Sequence, residues 1–325
     1  MDQQRGCGYA VEQICRALSE QGLKVSARTY RGWKQRQPAS RAITDAQILN
    51  TLHDLQQPDL KTRRPKPEVL YGRRKMHIWL QRNGFADVSK HTVDRLMRQA
   101  GMNGLVRGRR TATTIRSKDG HRAQDLLNRN FRTDAPDKVW VTDFTYVPTR
   151  AGFTYVSFVI DLFSRRIMSW ATSTRHDTEF VEEALRLALW QRRNASGSRG
   201  RSGVGIVHHS DAGSEYTSQR YTQTLAVEGL IPSIGTIGDA YDNAAAETVM
   251  GLFKNEAVAR DSPFRTGALA TESDVVDLVV EWVHWYNTQR LHSTLGYLTP
   301  VEFEELYYDE INGSSFDVAA SKLAA

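Results

Sequence analysis

The N-terminal part of the chain reads in the period of helices. Val11, Ile14, Cys15 and Leu18 recur at helical spacing, Gly22 fits a stop, and Ser26 stands where a cap for the next helix belongs. That next segment, residues 27–36, carries four basic residues and two aromatics, the make-up of a recognition helix. Ile43, Ile48, Leu52 and Leu55 predict an amphipathic helix over 43–56. Residues 58–67 hold three prolines and four basic residues and read as a linker. A second helix-turn-helix pattern follows, with a helix over 68–83, a turn at Gly84, a cap at Ser89 and a helix over 90–100. The last of these turns Val93, Leu96 and Met97 inward and Lys90, Arg95 and Arg98 outward. Residues 103–123 are basic and poor in apolar side chains, which predicts a flexible or DNA-ordered connector.

From residue 138 the period becomes that of strands. Segments 139–147, 153–162 and 165–173 predict an antiparallel meander, followed by a helix over 177–193 and a surface loop over 194–203. A short buried strand at 204–209, a helix at 217–228, a strand at 230–234 and a helix from about 242 to 258 complete the order βββαβαβα. That order predicts an α/β fold, a mixed five-stranded sheet with helices on both faces. Two more helices are expected at 272–291 and 299–307. The expected organisation is an N-terminal DNA-binding region (1–57), the linker, a second helix-turn-helix module (68–105), a basic connector (106–135), a catalytic core (136–262) and a C-terminal helical extension (263–325).

Composition narrows the class. A chain with 40% hydrophobic and 25% charged residues suits a soluble globular protein. No apolar run approaches the roughly 18 residues a membrane span needs, and the polar N-terminus lacks a signal-peptide core. Cys7 and Cys15 are too few and wrongly spaced for a disulfide framework or a Cys-x-x-Cys zinc site, so a reducing cytoplasm is expected. The net charge of +6 hides an asymmetry: residues 1–125 hold 25 Lys and Arg against 11 Asp and Glu, a net +14, and the remainder carries −8. The front half suits a polyanion, the back half cations.

Three carboxylates carry the candidate chemistry. Asp143 lies in Trp-Val-Thr-Asp-Phe-Thr-Tyr, Asp211 in His-His-Ser-Asp-Ala-Gly-Ser-Glu-Tyr, and Glu247 in Asp-Asn-Ala-Ala-Ala-Glu, with 35 residues between it and Asp211. An acid inside an apolar strand is costly unless paired or metal-bound. Two strand-borne acids and one helix-borne acid can hold a Mg²⁺ pair that drives in-line attack at phosphorus. Lys254 falls about 20° from Glu247 on a helical wheel, with Asn243 and Gly251 on the same face, so Lys254 can bind a phosphate beside the metals while Gly251 lets the backbone approach. Asp161 reads either as a fourth ligand or as a turn cap. His208 and His209 read as core histidines, His209 also as a residue behind Asp211, and Asn243 as supporting the site or capping its helix. Arg28, Arg31, Lys34, Lys90, Arg95, Arg98, Arg107, Arg109 and Arg110 are the other candidate DNA contacts. Trp282, Trp285 and Tyr286, followed by Asn287, Arg290 and His292, either contact DNA or pack on the core.

Together these motifs resemble the downstream-frame product of the IS-three family of bacterial insertion sequences, a DDE transposase. The resemblance covers nearly the whole chain: Tyr71-Gly-Arg-Arg with Arg82-x-Gly84 and Arg95-Leu-Met-Arg, Trp140-x-x-Asp-Phe-Thr-Tyr, His209-Ser-Asp-x-Gly-Ser-x-Tyr, Asp242-Asn-Ala-x-x-Glu-x₆-Lys, and Tyr286-Asn-x-x-Arg-x-His-x-x-Leu-Gly-Tyr-x-Thr-Pro-x-x-Phe303. It implies an RNase H-like core, with Asp143, Asp211 and Glu247 as catalytic metal ligands. It also implies 3′-end cleavage and strand transfer with two Mg²⁺ ions, for which Mn²⁺ can substitute. The implied partners are double-stranded DNA (terminal inverted repeats and target), further copies of the chain on DNA, and an upstream-frame protein, often as a fusion. The implied location is the bacterial cytoplasm at the nucleoid, with no membrane partner. Retroviral integrases share such a core, but their N-terminal His/Cys zinc pattern is absent here, as are leucine-zipper heptads. A DNA-binding regulator without cutting activity and a structure-specific nuclease are the competing readings.

Overall fold

A computed structural model describes residues 1–105, 125–127, 133–194, 204–235 and 243–311. Within these, the chain forms two compact units, Met1–Asn50 and Thr51–Ala325. The boundary falls inside a helix rather than at the expected linker.

The first unit holds α1 (Asp2–Gly6), α2 (Val11–Glu20), α3 (Ala27–Gln35) and the start of α4 (Ser40–Gln56). Val11, Cys15 and Tyr30 form its small core. Ser26 caps α3 by accepting from the Thr29 amide at 3.0 Å, which satisfies a backbone donor that the first helical turn leaves open.

In the second unit, residues 67–70 form a short 3₁₀ turn before α5 (Arg73–Arg82), which leads through Gly84 to α6 (Lys90–Gln99). Gly84 takes φ +96°, the left-handed value that ends α5. Ser89 caps α6 through the Thr92 amide. The segment 58–67, expected as a linker, is anchored: Arg64 donates to the Phe264 carbonyl at 2.5 Å and to Glu281 at 2.9 Å. The connector 106–135 lies largely outside the described residues.

Five strands follow: β1 (Val139–Thr149), β2 (Gly152–Asp161), β3 (Ile167–Ser173), β4 (Val207–Ser210) and β5 (Ile231–Ile234). Their spatial order is β3-β2-β1-β4-β5, antiparallel through the meander and parallel from β1 to β4 and β5. This is the RNase H-like mixed sheet expected. Between the strands run α7 (Thr178–Arg193), α8 (Ser214–Thr217) and α9 (Gln219–Val227). After the sheet come α10 (Ala244–Phe253), a π-helical turn at Lys254–Val258, α11 (Glu272–Thr288) and α12 (Pro300–Ile311).

Strand alternation sorts β1 between the two faces. Trp140 joins Val159 and the α7 and α9 side chains in the main apolar core, and Phe144 packs against it. The opposite face carries Val141, Asp143 and Phe158, the partner of Asp143 across the β1–β2 pair. Phe158 packs edge-on to Phe253 of α10 at 5.3 Å and against Trp282 of α11 at 5.8 Å. The described part of the extension 263–325 is therefore a layer of the core. Asn287 ties this layer down by bonding both ways to the Ile167 backbone, where β3 carries a bulge. On the other side, the buried Arg192 of α7 binds Asp137 at 2.7 Å and Glu304 of α12 at 2.5 Å.

Candidate active site

The β1–β4 ladder pairs Val141 with His209. The ladder ends there, and Asp211 lies two residues past its last pair, as Asp143 does on β1; the charge of Asp211 acts on the Asp143 carboxyl. Neighbouring strands lie about 4.8 Å apart, and equal parity on parallel strands aims both side chains at the same face. Asp211 follows the C-terminal end of β4, where α/β sheets place their sites.

Glu247 comes to this pair from α10, which packs on β1. Asn243, the residue before α10, is buried and donates to the Thr142 carbonyl at 3.0 Å, tying the helix start to the peptide that leads into Asp143. α10 ends at Phe253, short of the helix expected to 258. The backbone at Lys254 is still helical (φ −59°, ψ −44°), so Lys254 keeps nearly the azimuth of Glu247. Gly251, between them, has no other atom within 4 Å of where a Cβ would stand.

Charge links these groups. Burial and the negative charge of Asp211 push the Asp143 carboxyl well above the usual carboxylate range; Glu247 adds to this, and the Phe144 amide and Lys254 oppose it. Asp211 is also raised, first by burial, then by Glu215, against the pull of the Gly213 amide at 3.1 Å. Burial lowers the half-buried Lys254, and Asp143 raises it. Like charges in one site favour keeping a proton or taking up a cation.

Three carboxylates are hard oxygen donors of the kind Mg²⁺ takes. Among the described residues, no three His, Cys, Asp or Glu side chains are gathered closely enough to hold an ion as they stand. The donor chemistry and mutual repulsion fit a divalent cation that draws the three together.

The structure sorts the remaining candidates. Asp161 accepts from the Ser164 and Asp137 amides, both at 2.8 Å, and so holds a turn. His208 meets the Tyr221 hydroxyl at 3.2 Å, and burial pushes it down to about 3. His209 is fully buried on the Asp211 side of β4, with Nδ1 2.9 Å from Ser233 Oγ. Trp282, Trp285 and Tyr286 are buried and pack on the core. Arg28, Arg31, Lys34, Lys90, Arg95 and Arg98 lie exposed on α3 and α6. Arg31 pairs with Glu12, Lys34 with Asp2 and Arg98 with Asp94. Arg107, Arg109 and Arg110 lie outside the described residues.

Sequence reasoning gave no role to four neighbours. Glu215 is buried beside Asp211, accepts from Ser214 Oγ at 2.9 Å and meets His176 Nε2 at 3.2 Å. Tyr216 is buried behind the acids, and its hydroxyl feels both Asp143 and Asp211. A Cβ at Gly213 would stand 3.0 Å from Asp211 Oδ1 and 3.1 Å from Glu215 Oε2, so this tight turn leaves little room for a side chain. Glu215 and Tyr216 stand within the Asp211 motif and could have been found there; His176 has no sequence signal.

Known proteins share this arrangement of segments. Residues 133–240 match a family described as integrase core domain, 228–300 a second of the same description, and 61–110 an HTH-like domain. A candidate transposase for insertion sequence element IS986/IS6110 of Mycobacterium tuberculosis H37Rv is 36% identical over 290 residues, covering 88% of this chain and 97% of its own. The transposase for insertion sequence element IS629 of Shigella sonnei is 43% identical over 251 residues, covering 77% and 78%. Among solved structures, the simian T-cell lymphotropic virus intasome with PP2A regulatory subunit B56 gamma gives a TM-score of 0.41 at 14% identity over 72% of this chain and 74% of that one. The HTLV-2 integrase catalytic core with magnesium gives 0.37 at 13% identity, over 53% and 98%.

Proposed function

The chain belongs to the IS-three family of insertion-sequence transposases, with an integrase core that makes it a polynucleotidyl transferase, and from that premise we propose how it works. It binds the terminal inverted repeats of its element through the α2–α3 and α5–α6 modules. It cuts the 3′ ends and joins them to target DNA at Asp143, Asp211 and Glu247. The observation that supports this reading is the β1–β4 pairing that runs toward Asp143 and Asp211, together with the action of Asp211 and Glu247 on the Asp143 carboxyl.

The three carboxylates would hold two Mg²⁺ ions, which when bound activate the attacking oxygen and stabilise the leaving one. The chain's own residues do the rest. Asn243 and Thr142 hold α10 against β1, so that Glu247 meets the strand-borne acids. Lys254 offers its ammonium to a phosphate beside them, and Gly251 leaves the helix face low enough for a DNA backbone. The exposed basic residues of α3 and α6 fix the DNA by its phosphates.

The test uses the full chain, labelled element ends and Mg²⁺. Asp143→Asn, Asp211→Asn and Glu247→Gln are each expected to abolish cleavage and joining while band shifts of end DNA persist. Retention of a tenth of the wild-type joining rate by any one of them would remove that residue from the ligand set. Joined products mark a transposase, cut products alone a nuclease, and shifts alone a regulator.

A further inference from the structure

Two large aromatic side chains remain on the surface near this site. Tyr146 is 42% exposed and Phe153 is 55% exposed. Their ring centres lie 5.3 Å apart with the planes at 83°, an edge-to-face pair. The β1–β2 register brings them together, pairing Tyr146 with Tyr155 and Pro148 with Phe153. Tyr155 and Phe144 find partners in the core under α7, whereas Tyr146 and Phe153 stay open. Tyr146 stands three residues beyond Asp143 on the same strand, roughly 10 Å along it, and alternation turns it to the Phe144 face, opposite the one that carries Asp143. Lys254 Nζ lies 4.9 Å from the Tyr146 ring centre, and the same lysine is felt at Asp143.

We propose that Tyr146, buttressed by Phe153, is a stacking ledge for a nucleobase of the DNA end next to the cleaved phosphodiester. The inference rests on the reading of Asp143, Asp211 and Glu247 as the cutting site. A phosphodiester held at Asp143 brings its flanking nucleotides to Lys254, whose ammonium also lies over the Tyr146 ring. There the chain offers a part-exposed aromatic ring with the Lys254 ammonium over it, a pairing that suits a base and its phosphate together. An aromatic face accepts any base, so the ledge positions the end without reading its sequence. It stacks a base that has left its pair, as the terminal bases of a duplex can.

The test measures single-turnover cleavage by the full chain at saturating protein. The substrates carry one abasic site, stepped through the nucleotides on either side of the cleaved bond. Tyr146→Leu is expected to slow cleavage of intact ends by roughly tenfold. Tyr146→Phe, which keeps the ring, should restore most of that loss. At one abasic position the end should already be slow with the unaltered protein, and Tyr146→Leu should slow it no further. A fluorescent base at that position should change emission on binding the unaltered protein and not on binding Tyr146→Leu.

Full speed in Tyr146→Leu, or an equal loss on every abasic substrate, would overturn the ledge. Asp143→Asn in the same assay separates the two readings. If it is inactive while the abasic series shows no coupling, only the ledge fails; if it cuts normally, the site reading fails and the ledge with it.

Discussion

Asp143 is held among charges that oppose its ionisation, and this has a measurable consequence. Its folded-state pKa is raised, so without metal the folded chain binds a proton there more tightly than the unfolded chain does. The stability it contributes is complete below the ordinary carboxylate pKa and is lost as pH rises through the raised folded value. Above that value the repulsion with Asp211 remains. Asp143→Asn in chelator-treated protein should therefore raise Tm at pH 8, by roughly 2–4 °C for each kcal/mol relieved. The gain should shrink toward pH 4; calorimetry across this range checks it, and a Tm at pH 8 below that of the unaltered chain would contradict it. Lys254 belongs to the same scale. Lys254→Ala should leave end binding nearly intact yet slow cleavage of pre-bound ends, since a misplacement of about 1 Å can cost roughly 100-fold. Rescue by Lys254→Arg would show that charge suffices, and an Ala variant as fast as wild type in single turnover would leave Lys254 a solvated surface charge.

At the scale of elements, the π-helical turn after α10 is held from the far end of α11. Glu256 accepts from Arg290 through both carboxylate oxygens, at 2.6 and 2.9 Å, and from the Trp282 indole at 3.3 Å. Both members of the ion pair are nearly solvent-free. Removing one partner strands the other charge, so Arg290→Ala should cost about 3–5 kcal/mol in urea unfolding. Replacing Glu256 and Arg290 together by apolar residues of similar volume should recover most of that loss. A loss below about 1 kcal/mol for Arg290→Ala would mean that the pair is screened as surface pairs are. This arrangement accounts for the C-terminal aromatic motif: Trp282 and Tyr286 fill the layer over the sheet, and Arg290 closes it. The motif's helical spacing was visible in the sequence, but its partner, Glu256, lies 34 residues away.

At the scale of the whole molecule, the second helix-turn-helix module and the C-terminal helices share one unit. The Tyr71 hydroxyl donates to the Gln289 carbonyl at 3.2 Å and accepts from the Leu291 amide at 3.1 Å, and Arg82 reaches Glu302 at 3.3 Å. The module expected to follow a linker is thus fixed to the C-terminal helical layer. On the proposed reading, DNA bound by α6 would be held by the same unit that carries the acids. Charge reversal at Lys90, Arg95 or Arg98 in the full chain should weaken end binding at low salt. Each should also flatten the plot of log affinity against log salt by about 0.9 for every DNA phosphate that the variant no longer neutralises. Band shifts over a salt series check this, and an unchanged slope in all three variants would take α6 off the DNA.

What the sequence determined by itself was local. The helical period around Ile14 and Val93, the caps at Ser26 and Ser89, the meander and the motif placing Asp143, Asp211 and Glu247 all depend on neighbours within a few residues, and local periods and side-chain bonds specify such features. Periodicity does not see the shift from a helix ending near 258 to a π-turn at Lys254, because the apolar stripe continues past Phe253 and the turn is held by Arg290, 34 residues away. Only the tertiary structure decided the rest. The pairing of β1 with β4 fixed which acid acts on the Asp143 carboxyl, and packing chose the core for Trp282, Trp285 and Tyr286. The turn at Gly213 brought Glu215 to Asp211, and the anchoring of Arg64 turned an expected linker into part of a unit. These outcomes depend on pairings between segments far apart in the chain, where register and shape, rather than the character of either segment alone, determine which side chains meet.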